Sequence, residues 1–537
     1  MKCLLNSPFH FVCSLIMELL LSCSSTAILC VVTVIIAVVP VWAVKTLNSL
    51  WLRPKRFEKL LRAQGLHGEP YSLSRPSSNQ NQPPQNTPPS QSFLLSDDVA
   101  PRLFLPAYNT VAKYGKNSFL WEGTTPKVIV TDPNHIKEVF NHIHDFQKPK
   151  ISSTGKFFFC GLISHEGDKW AQHRKIINPA FHLERLKNML PAFSQSCHDV
   201  ISKWMGMLSS DGKCEIDVWP FLQNLTRDII SRTAFGSSYA EGEKIFQLLR
   251  YQGYLVATAK CNKPILRHIP TPAKMKMRAL DKEMKNSIRV IIEKREKAMK
   301  NGESSNEDLL GVLLESNQME IQGNGNNKSV GMTIEEVISE CKLFYVAGQE
   351  TTSSLLVWTL IMLSKYPEWQ ARAREEVLHV FGKQNPNFDG LSLLKTMTMI
   401  LYEVLRLYPP NIFFNRTLKK DMELGNLLLP AGVDVTMPIL LLHQDGYIWG
   451  NDAKEFKPER FSEGVAKATK GQVSFYPFGW GPRICIGQNF TMLEAKIVLS
   501  LLLQNFSFEL SPVYVHAPAL MFTLQPKQGA PLIVQKL

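Results

Sequence analysis

The sequence predicts a mainly α-helical fold with small β-sheets, standing behind one N-terminal transmembrane helix. Helical periodicity dominates from about Ala180 onward, which is typical of a helical protein. Short apolar runs such as 127–131 (KVIVT) predict strands, and residues 27–44 form an apolar run without charge. The chain has 537 residues, 45% hydrophobic and 20% charged, so it is globular and long enough to bury a large core.

The apolar run 27–44 (AILCVVTVIIAVVPVWAV) has about the minimum length for a membrane-spanning helix. A cluster of lysines and arginines begins directly after it at Lys45, whereas Lys2 is the only lysine or arginine before it. The positive-inside rule therefore places the bulk of the chain in the cytoplasm. A cleaved secretory signal is the alternative, but its basic flank precedes the apolar run. Met17 is an alternative start, which would make residues 1–16 an upstream extension.

Composition divides the chain into three regions. Residues 1–50 hold the N-terminal extension and the membrane anchor. Residues 51–98 combine a basic amphipathic stretch, 51–66, expected at a membrane surface, with a linker. Within that linker, 75–92 is rich in Pro, Ser, Asn and Gln and is expected to be a solvated loop. Residues 99–537 form the main domain, which shows no internal repeat.

Helix boundaries in the main domain follow from capping residues and prolines. Thr333 and Glu336 form a T-x-x-E capping box that begins a long helix, and Pro367 marks its end. A second helix is predicted over 488–503. The polar segment 317–328, which contains QGNGNN, is expected to be a surface loop.

Charge and cysteine content exclude some classes of protein and leave others open. The formal net charge is +13, which fits nucleic acid, an anionic membrane surface or an acidic protein partner, and no nucleic-acid motif supports the first. Ten cysteines are scattered without CxxC pairs. This pattern argues against a structural zinc site and a disulfide scaffold, and it favours reduced thiols that face the cytosol.

Residues 478–487 read FGWGPRICIG, a glycine-rich loop around one cysteine just before the predicted helix 488–503. Glycines let the backbone approach a bulky planar ligand closely, and a helix N-terminus favours the thiolate of Cys485. Arg483 is placed to neutralise an anionic group nearby. Taken alone, the loop fits an ordinary turn with a buried thiol as well as a ligand site, so the local chemistry leaves both open.

The whole string fits F-x-x-G-x-R-x-C-x-G, and with it the chain resembles the cytochrome P450 family, whose haem-binding loop has this pattern. The resemblance implies a cytochrome P450 fold, haem b (iron protoporphyrin IX) as the cofactor, and residues 99–537 as a haem-thiolate catalytic domain. It implies Cys485 as the axial ligand of the iron. Arg483 is then a propionate partner, Phe478 packs beside the thiolate, and Gly481 and Gly487 match the remaining fixed positions.

Finer segments resemble plant members of subfamily A of the P450 family numbered seventy-two. Examples are WLRPKRFEKLLRAQGL after the anchor, GDKWAQHRKIINPAF and WGNDAKEFKPERF. The similarity runs from the anchor to the C-terminal strand region. The Pro-rich hinge of many relatives is absent, and LRPKR stands in its place.

Residues 347–352 read AGQETT inside the long predicted helix. A glycine and two threonines weaken a helix, and a threonine hydroxyl bonds back to the preceding turn. The segment fits either close helix packing or a local opening for dioxygen and water. In the resembled family this string lies over the haem. The resemblance implies Thr351 as the dioxygen-side hydroxyl and Glu350 as its acidic neighbour in a proton relay, with Thr352 in support.

Glu403 and Arg406 lie three residues apart on a helix that is predicted to stop before Pro409. That spacing alone is typical of a surface salt bridge. The pair also matches the family's E-x-x-R motif, and residues 458–461 (PERF) follow at a suitable distance. The resemblance implies that Arg460 joins them in a buried triad that holds the fold and does no chemistry.

Trp170 and Arg174 lie one helical turn apart, where an indole N–H and a guanidinium suit a carboxylate. Alone, the pair also fits a chance cation–π contact. The resemblance implies that both residues contact the haem propionates, as does Arg416. Lys175 and Lys496 are candidates for a basic face that docks an acidic electron donor.

The resemblance implies a monooxygenase that hydroxylates or oxidises a hydrophobic small molecule with dioxygen and electrons from NADPH–cytochrome P450 reductase. The substrate is expected to be a terpenoid, with a triterpenoid, a gibberellin-type diterpenoid and an iridoid all open. The expected location is the endoplasmic reticulum membrane, crossed once, in contact with lipid, with the catalytic domain in the cytoplasm and no nucleic-acid partner. By family position, the candidate residues of the substrate pocket are Phe157, Phe344, Ala347, Phe413, Phe414, Leu520 and Met521.

Two rival functions stay open beside the monooxygenase. One is a haem-thiolate enzyme that rearranges hydroperoxides and needs neither dioxygen nor a reductase; the presence of Thr351 argues against it. The other is a non-catalytic haem-binding sensor, against which the intact pair of Glu350 and Thr351 argues.

Overall fold

We describe the chain from a computed structural model, over residues 25–73, 99–236, 239–258, 271–302 and 308–537. The predicted loop 75–92 and the alternative start at Met17 lie outside these residues. The described part is mainly helical with small sheets, as predicted. Its α-helices are α1 Ser25–Leu47, α2 Arg53–Ala63, α3 Ala100–Leu103, α4 Leu105–Tyr114, α5 Pro133–Asn141, α6 Gly167–Ile177, α7 Leu183–Lys187, α8 Leu190–Met207, α9 Val218–Phe235, α10 Tyr239–Thr258, α11 Pro272–Lys300, α12 Leu309–Gly323, α13 Ile334–Lys365, α14 Pro367–Phe381, α15 Phe388–Leu393, α16 Lys395–Leu407, α17 Ile439–His443, α18 Gly446–Trp449, α19 Val465–Ala468 and α20 Gln488–Asn505.

Short strands form one larger sheet and three small ones. The strands are β1 His67–Gly68, β2 Ser118–Glu122, β3 Thr125–Ile129, β4 Phe146–Gln147, β5 Lys213–Asp217, β6 Phe414–Leu418, β7 Met422–Leu424, β8 Leu427–Leu429, β9 Asp434–Met437, β10 Phe506–Leu510, β11 Pro518–Leu520, β12 Leu524–Pro526 and β13 Pro531–Lys536. A six-stranded sheet has the order β1-β2-β3-β9-β6-β4, and a three-stranded sheet has the order β10-β13-β5. The pairs β11-β12 and β7-β8 are separate ladders. The strand predicted from KVIVT is β3.

The long helix α13 runs through the core. Every side chain from Thr352 to Leu363 is buried, so this part of the helix packs against the protein on all sides. The helix also packs closely on α9 at Gly348. No side chain fits there without a shift of Ile230, since a Cβ added at Gly348 would lie 2.7 Å from the Ile230 side chain. Part of the AGQETT string therefore serves close helix packing, one of the two uses that its composition predicts.

Four predicted helix boundaries are confirmed. The capping box of Thr333 and Glu336 is present at the start of α13, which ends at Lys365 just before Pro367. The helix that carries the E-x-x-R pair, α16, ends at Leu407, and α20 begins at Gln488.

The surface loop predicted over 317–328 is wrong in its first half. Helix α12 continues to Gly323, because residues 318–322 (QMEIQ) are good helix formers. Asn317 is also held on the helix by the backbone of Met332, which donates to Asn317 Oδ1 at 2.6 Å and accepts from Nδ2 at 3.0 Å.

The basic stretch after the anchor packs on the main domain. Helix α2 buries Phe57 and Leu61 on one face, and β1 pairs in parallel with β2 of the large sheet. Its other face carries exposed Leu60, 43% accessible, next to exposed Leu52. Across the described part of the chain, no helix combines the length and apolarity needed to cross a bilayer. The anchor predicted over 27–44 falls within α1 and stays a prediction.

Candidate functional site

The predicted thiolate loop is held by a backbone hydrogen bond across it and by the helix that follows it. The backbone N–H of Cys485 donates to the carbonyl of Phe478 at 2.9 Å, and Gly487 directly precedes α20. Gly481 has a φ of +70°, and an added Cβ would lie 2.9 Å from the carbonyl oxygen of Phe140. Only glycine fits this position without displacing α5, so the loop needs this residue for its shape.

The Cys485 side chain has two properties that are rarely found together. It keeps solvent-accessible surface, yet the protein packed around it raises the pKa of its thiol by burial. The Gly487 N–H and the Arg174 guanidinium act in the opposite direction and favour the thiolate. A side chain that is accessible but surrounded by protein lines an internal space, so Cys485 faces a cavity within the fold.

Helix α13 comes near the thiolate loop through intervening aromatic side chains. Ala347 is exposed and Thr351 is partly exposed, although the helix around them is buried. A contact chain links them to the loop, since Phe344 packs edge-on to Phe181 at 5.9 Å, and Phe181 approaches Gly487. The Thr351 hydroxyl donates to the Ala347 carbonyl at 2.8 Å, and α13 stays continuous through this segment. The expected local opening is therefore limited to side-chain hydrogen bonding.

Glu350 is hydrogen-bonded to Gln525 and Thr523, two residues that the sequence did not indicate as part of the site. Its Oε2 accepts a hydrogen bond from Gln525 Nε2 at 2.8 Å, and its carbonyl accepts one from the Thr523 hydroxyl at 3.3 Å. Burial raises the pKa of the Glu350 carboxyl, while Arg227 and Gln525 partly offset this. A carboxyl group with a raised pKa next to Thr351 is suited to holding a proton, as the relay requires.

The structure brings together Glu403, Arg406 and Arg460. Arg406 donates to both oxygens of Glu403, each at 2.7 Å, and neither side chain has accessible surface. Arg460 Nε donates to Glu403 Oε1 at 3.3 Å, and its Nη1 pairs with Asp452 at 2.7 Å. We call these four residues the triad cluster. Its two cations and two carboxylates balance, which suits a structural role.

Arg483 and the predicted pair on α6 meet beside the thiolate loop. The Arg483 guanidinium lies over the Trp170 ring at 4.5 Å and pairs with Glu166 at 2.6 Å. Arg174 donates to the Ile484 carbonyl at 2.9 Å, so α6 holds the loop next to Cys485. Glu166 was not predicted from the sequence, because a single glutamate before a helix carries no recognisable signal.

Arg416 lies on β6 of the large sheet, and Lys148 directly follows the neighbouring strand β4. Arg416 is 5% accessible, and its guanidinium donates to the Asn415 carbonyl at 2.9 Å. Lys148, which sequence reasoning missed, donates from Nζ to the Ile163 carbonyl at 2.8 Å. Among the described residues, neither side chain forms a salt bridge. We call Lys148, Arg416, Arg483 and Glu166 the cation cluster.

The predicted pocket residues fall into separate aromatic groups. Phe413 stacks on Phe104 at 4.9 Å, and Phe414 packs edge-on to Phe140 at 5.4 Å, next to Gly479 of the thiolate loop. Leu520 is partly buried in β11, and Met521 is 51% accessible at the turn that follows.

Phe157 lies in a different setting from the other pocket candidates. It lines a surface cavity of ≈ 300 Å³ whose other lining residues are charged or polar, and its carbonyl accepts from Lys342. This setting does not suit an apolar substrate. The next residue, Phe158, is buried and stacks on Phe522 at 4.4 Å, close to Gly253 of α10. Phe158 and Phe522 are thus better placed than Phe157 to bound an apolar pocket.

Two buried groups near the site have roles in holding the fold. Glu340 on α13 accepts from the Leu162 backbone at 2.9 Å and contacts His173 Nδ1 at 2.6 Å, which ties the loop before α6 to α13. His443 Nε2 accepts from the Tyr476 backbone at 3.0 Å, and its own carbonyl accepts from Arg406. His443 therefore connects the triad cluster to the start of the thiolate loop.

The predicted docking lysines differ from each other. Lys175 is 68% accessible and pairs with Glu320 at 2.7 Å. Lys496 is partly buried, its Nζ donates to the Leu391 carbonyl at 3.0 Å, and burial lowers its pKa. Lys496 is thus partly engaged within the protein, and the docking role of the two lysines stays a prediction.

The chain is similar to known proteins along almost its whole length. The family model described as cytochrome P450 matches residues 98–531. A Glycyrrhiza uralensis protein named 11-oxo-beta-amyrin 30-oxidase is 65% identical over 95% of this chain and 98% of its own length. A Medicago truncatula protein of the same name is 64% identical over 96% and 98%, respectively. Cytochrome P450 CYP72A613 of Trigonella foenum-graecum is 63% identical over 96% and 99%.

Haem iron is the cofactor of the family that this model describes. The residues present fit it on two counts. Cys485 faces an internal space, and Arg174 and the Gly487 N–H favour its thiolate form. The cation cluster holds more positive than negative charge beside that loop, which suits the carboxylates of a porphyrin. Cys485 would ligate the iron, and the arginines would hold the carboxylates.

Proposed function

Because the chain belongs to the cytochrome P450 family, we propose that it oxidises a triterpenoid of the β-amyrin type at carbon 30. The chain is a haem-thiolate monooxygenase, and plant P450s of subfamily 72A are among its relatives. One observation carries the proposal. Two proteins with the same printed name, 11-oxo-beta-amyrin 30-oxidase, are 65% and 64% identical to it over nearly their full lengths.

Haem, when bound, supplies the binding and activation of dioxygen, and thiolate ligation favours O–O cleavage. The chain's own residues supply position and protons. Cys485 is held at a fixed place by the Phe478 carbonyl and by the contact of Arg174 with Ile484. Thr351 presents a hydroxyl on the opposite helix, and the Glu350 carboxyl, with its raised pKa, is suited to passing a proton toward it.

The aromatic groups support an apolar, rigid substrate. Phe158 and Phe522 stack between the 155–157 turn and the β11–β12 hairpin, and Phe413 stacks on Phe104. Stacked rings lose little conformational freedom and exclude water, which favours a fused-ring skeleton over a flexible polar one. These aromatic groups support a terpenoid substrate. The choice of carbon 30 is based only on the relatives.

We also propose that residues 27–44 anchor the protein in the endoplasmic reticulum membrane, with the catalytic domain in the cytoplasm. There it would receive electrons from NADPH–cytochrome P450 reductase. Ile36, Trp42 and Val44 on α1 are each at least 64% accessible, so they present apolar surface that a membrane would cover. Leu52 and Leu60, on the segment that follows α1, are exposed as well.

The direct test is turnover of defined substrates. Microsomes that contain the full chain and a plant NADPH reductase would be given 11-oxo-β-amyrin, β-amyrin, a gibberellin-type diterpenoid or an iridoid. We expect NADPH-dependent formation of a product oxidised at carbon 30 of 11-oxo-β-amyrin, identified by mass spectrometry and NMR. Turnover of only the diterpenoid or the iridoid would contradict the substrate proposal.

The same assay separates the monooxygenase from a hydroperoxide-rearranging enzyme. Product formation should stop when NADPH or dioxygen is withheld. A Cys485→Ala preparation, matched for protein content, serves as the inactive control. Product formation from a fatty-acid hydroperoxide without NADPH would favour the rearranging enzyme instead.

A further inference from the structure

Two histidines and a glutamate that no motif contains meet where α6 and the loop before it pack on α13. His165 lies in that loop, His173 on α6 and Glu340 on α13. One metal-binding atom from each of the three side chains lies within 4.8 Å of the other two. We call these residues the His-His-Glu group. Because Glu340 is far from the histidines in sequence, only the packing of α6 on α13 brings the three together.

Glu340 is a buried carboxylate without a permanent counter-charge. Its side chain has no accessible surface, and it accepts from the Leu162 N–H at 2.9 Å. Within the described ranges of the chain, its ion-pair candidates are His173 at 2.6 Å and His165 at 4.0 Å, and a histidine is charged only when it is protonated. A buried carboxylate normally pairs with a cation or binds a metal, because the loss of its hydration is costly. The group therefore has room for a positive charge.

Both histidines keep a buried ring nitrogen that is not hydrogen-bonded. His165 Nε2 and His173 Nε2 find no partner among the described residues, and the two rings meet edge-on at 4.4 Å. Burial, followed by the charges of His173 and Lys169, lowers the pKa of His165 to about 4. Its imidazole is therefore neutral near pH 7, which is the form that binds a metal. The His165 side chain is 21% accessible, so an ion can reach the group from that side.

The spacing of these atoms fits a tetrahedral metal ion after small shifts. Zinc binds histidine nitrogen and carboxylate oxygen at about 2.0–2.2 Å, so two of its ligand atoms lie roughly 3.3 Å apart. The distances from Glu340 Oε1 to His173 Nδ1, 2.6 Å, and to His165 Nε2, 4.0 Å, lie on either side of that value. The carboxylate itself is held in place, because a Cβ added at Gly161 would lie 2.6 Å from Glu340 Oε2. The loop at His165 is the part that has to move.

We propose that His165, His173 and Glu340 bind a Zn²⁺ ion, with a water molecule as the fourth ligand. Two imidazoles and one carboxylate are a ligand set that suits zinc. The ion supplies the positive charge that Glu340 lacks, and the proton that His173 Nδ1 shares with this carboxylate is released to solvent. The site needs neither a substrate nor a reductase, so it goes beyond the proposed function and does not rest on it.

Bound zinc would cross-link parts of the chain that adjoin the thiolate loop. The His165 carbonyl accepts from Arg483 Nη1 at 3.0 Å, so the loop that carries His165 also contacts the loop that carries Cys485. Metal bonds would join this loop, α6 and α13. An ion that binds only the folded chain stabilises it by mass action. We therefore expect zinc to raise the Tm of the haem-loaded protein.

The test measures zinc binding by the full-length, haem-loaded protein without a polyhistidine tag. The protein is dialysed against chelator-buffered Zn²⁺, and zinc per haem is determined by mass spectrometry of the elements. We expect one zinc per haem in the wild type. His165→Ala should weaken zinc binding about a hundredfold or more, because loss of a residue that only supports a ligand already costs about 10–100-fold. His198→Ala is the matched control, since His198 is also partly exposed but bonds to Asn385 on the other side of α8.

Zinc X-ray absorption identifies the ligands, because the zinc edge is separate from that of haem iron. We expect nitrogen and oxygen ligands at about 2.0–2.2 Å and no sulfur. Zinc should also raise the Tm of the wild type and of His198→Ala, and leave that of His165→Ala unchanged. Sulfur ligands at about 2.3 Å would place the ion on cysteines and overturn the inference. Equal zinc affinity of the wild type and His165→Ala overturns it as well, as does a wild type that binds no zinc.

Discussion

The triad cluster and the cation cluster are both buried groups of arginines, but they differ in their counter-charges. In the triad cluster, Arg406 and Arg460 share Glu403, and Asp452 takes a further bond from Arg460. In the cation cluster, Arg416 and Lys148 form no salt bridge within the described residues. The first cluster is complete without a ligand. The second leaves two cations without a carboxylate partner in the described residues, and we propose it as a binding site for a ligand that supplies negative charge.

Position in the fold matches this difference. His443 links Arg406 to the start of the thiolate loop, so the triad cluster supports that loop. Arg483 of the cation cluster lies in the thiolate loop itself, two residues before Cys485. Counting buried charges thus separates a motif that is balanced within the protein from one that we propose to hold a cofactor.

The largest expected effect is on the triad cluster. Glu403→Gln leaves Arg406 buried without its carboxylate, and we expect a loss of about 3–5 kcal/mol in the free energy of unfolding. Denaturant unfolding followed by circular dichroism measures this. The matched control is Glu459→Gln, since Glu459 is exposed and lies 3.6 Å from Arg372; it should change stability by less than about 1 kcal/mol. Equal effects of the two changes would contradict a structural role for the triad cluster.

In the cation cluster the same kind of change should affect the cofactor and not the fold. Arg416→Met removes a buried cation that has no carboxylate partner in the described part of the chain. We expect the haem-free protein to be as stable as the wild type or more so, and haem to be released about tenfold faster or more. A matching loss of stability in the haem-free form would remove the distinction between the two clusters.

A change outside both clusters should spare stability and haem content. Thr351→Ala removes the hydroxyl that donates to the Ala347 carbonyl on α13. We expect unchanged haem content, more hydrogen peroxide, and roughly tenfold less product per NADPH consumed, because proton delivery fails. Unchanged coupling of NADPH to product would reject the relay role of Thr351. Ser354→Ala, on the same helix but bonded to the Leu524 carbonyl, is the control.

The smallest expected effect is a difference in pH dependence. The hydrogen bond from Arg460 lowers the pKa of Asp452 to about 2, below its ordinary value of 3.8. Its contribution to stability is therefore present above about pH 4 and is lost as the pH falls toward 2. The stability difference between wild type and Asp452→Asn should shrink over that range. A constant difference would show that the Asp452 charge does not support the triad cluster.

Motifs of fixed spacing predicted the parts of the site that act through local chemistry. The Cys485 loop, the E-x-x-R pair and the helix cap at Thr333 all rest on neighbours in sequence, and the structure places them as their spacing requires. Lys148 and Gln525 could not be predicted in this way. Their partners, Arg416 and Glu350, are distant in sequence, and only sheet register or a hairpin brings them together.

Two polar features of the sequence make contacts that composition did not indicate. The polar segment 317–328 was expected to be a loop, but tertiary contact of Asn317 with Met332 and strong helix formers extend α12 through its first half. Lys496 was a candidate for a docking face, and the structure shows its amine donating to the Leu391 carbonyl, a contact that the sequence did not indicate. Composition alone does not indicate what a polar side chain will meet across the fold.

The central claim is that Cys485 is the thiolate ligand of the haem iron. Its most direct test is the carbon monoxide difference spectrum of the reduced, full-length protein and of Cys485→Ser, with Cys214→Ser, a partly exposed thiol on β5, as the control. The account predicts the red-shifted thiolate band in the wild type and in Cys214→Ser, and its complete loss in Cys485→Ser. Persistence of that band in Cys485→Ser would contradict the assignment.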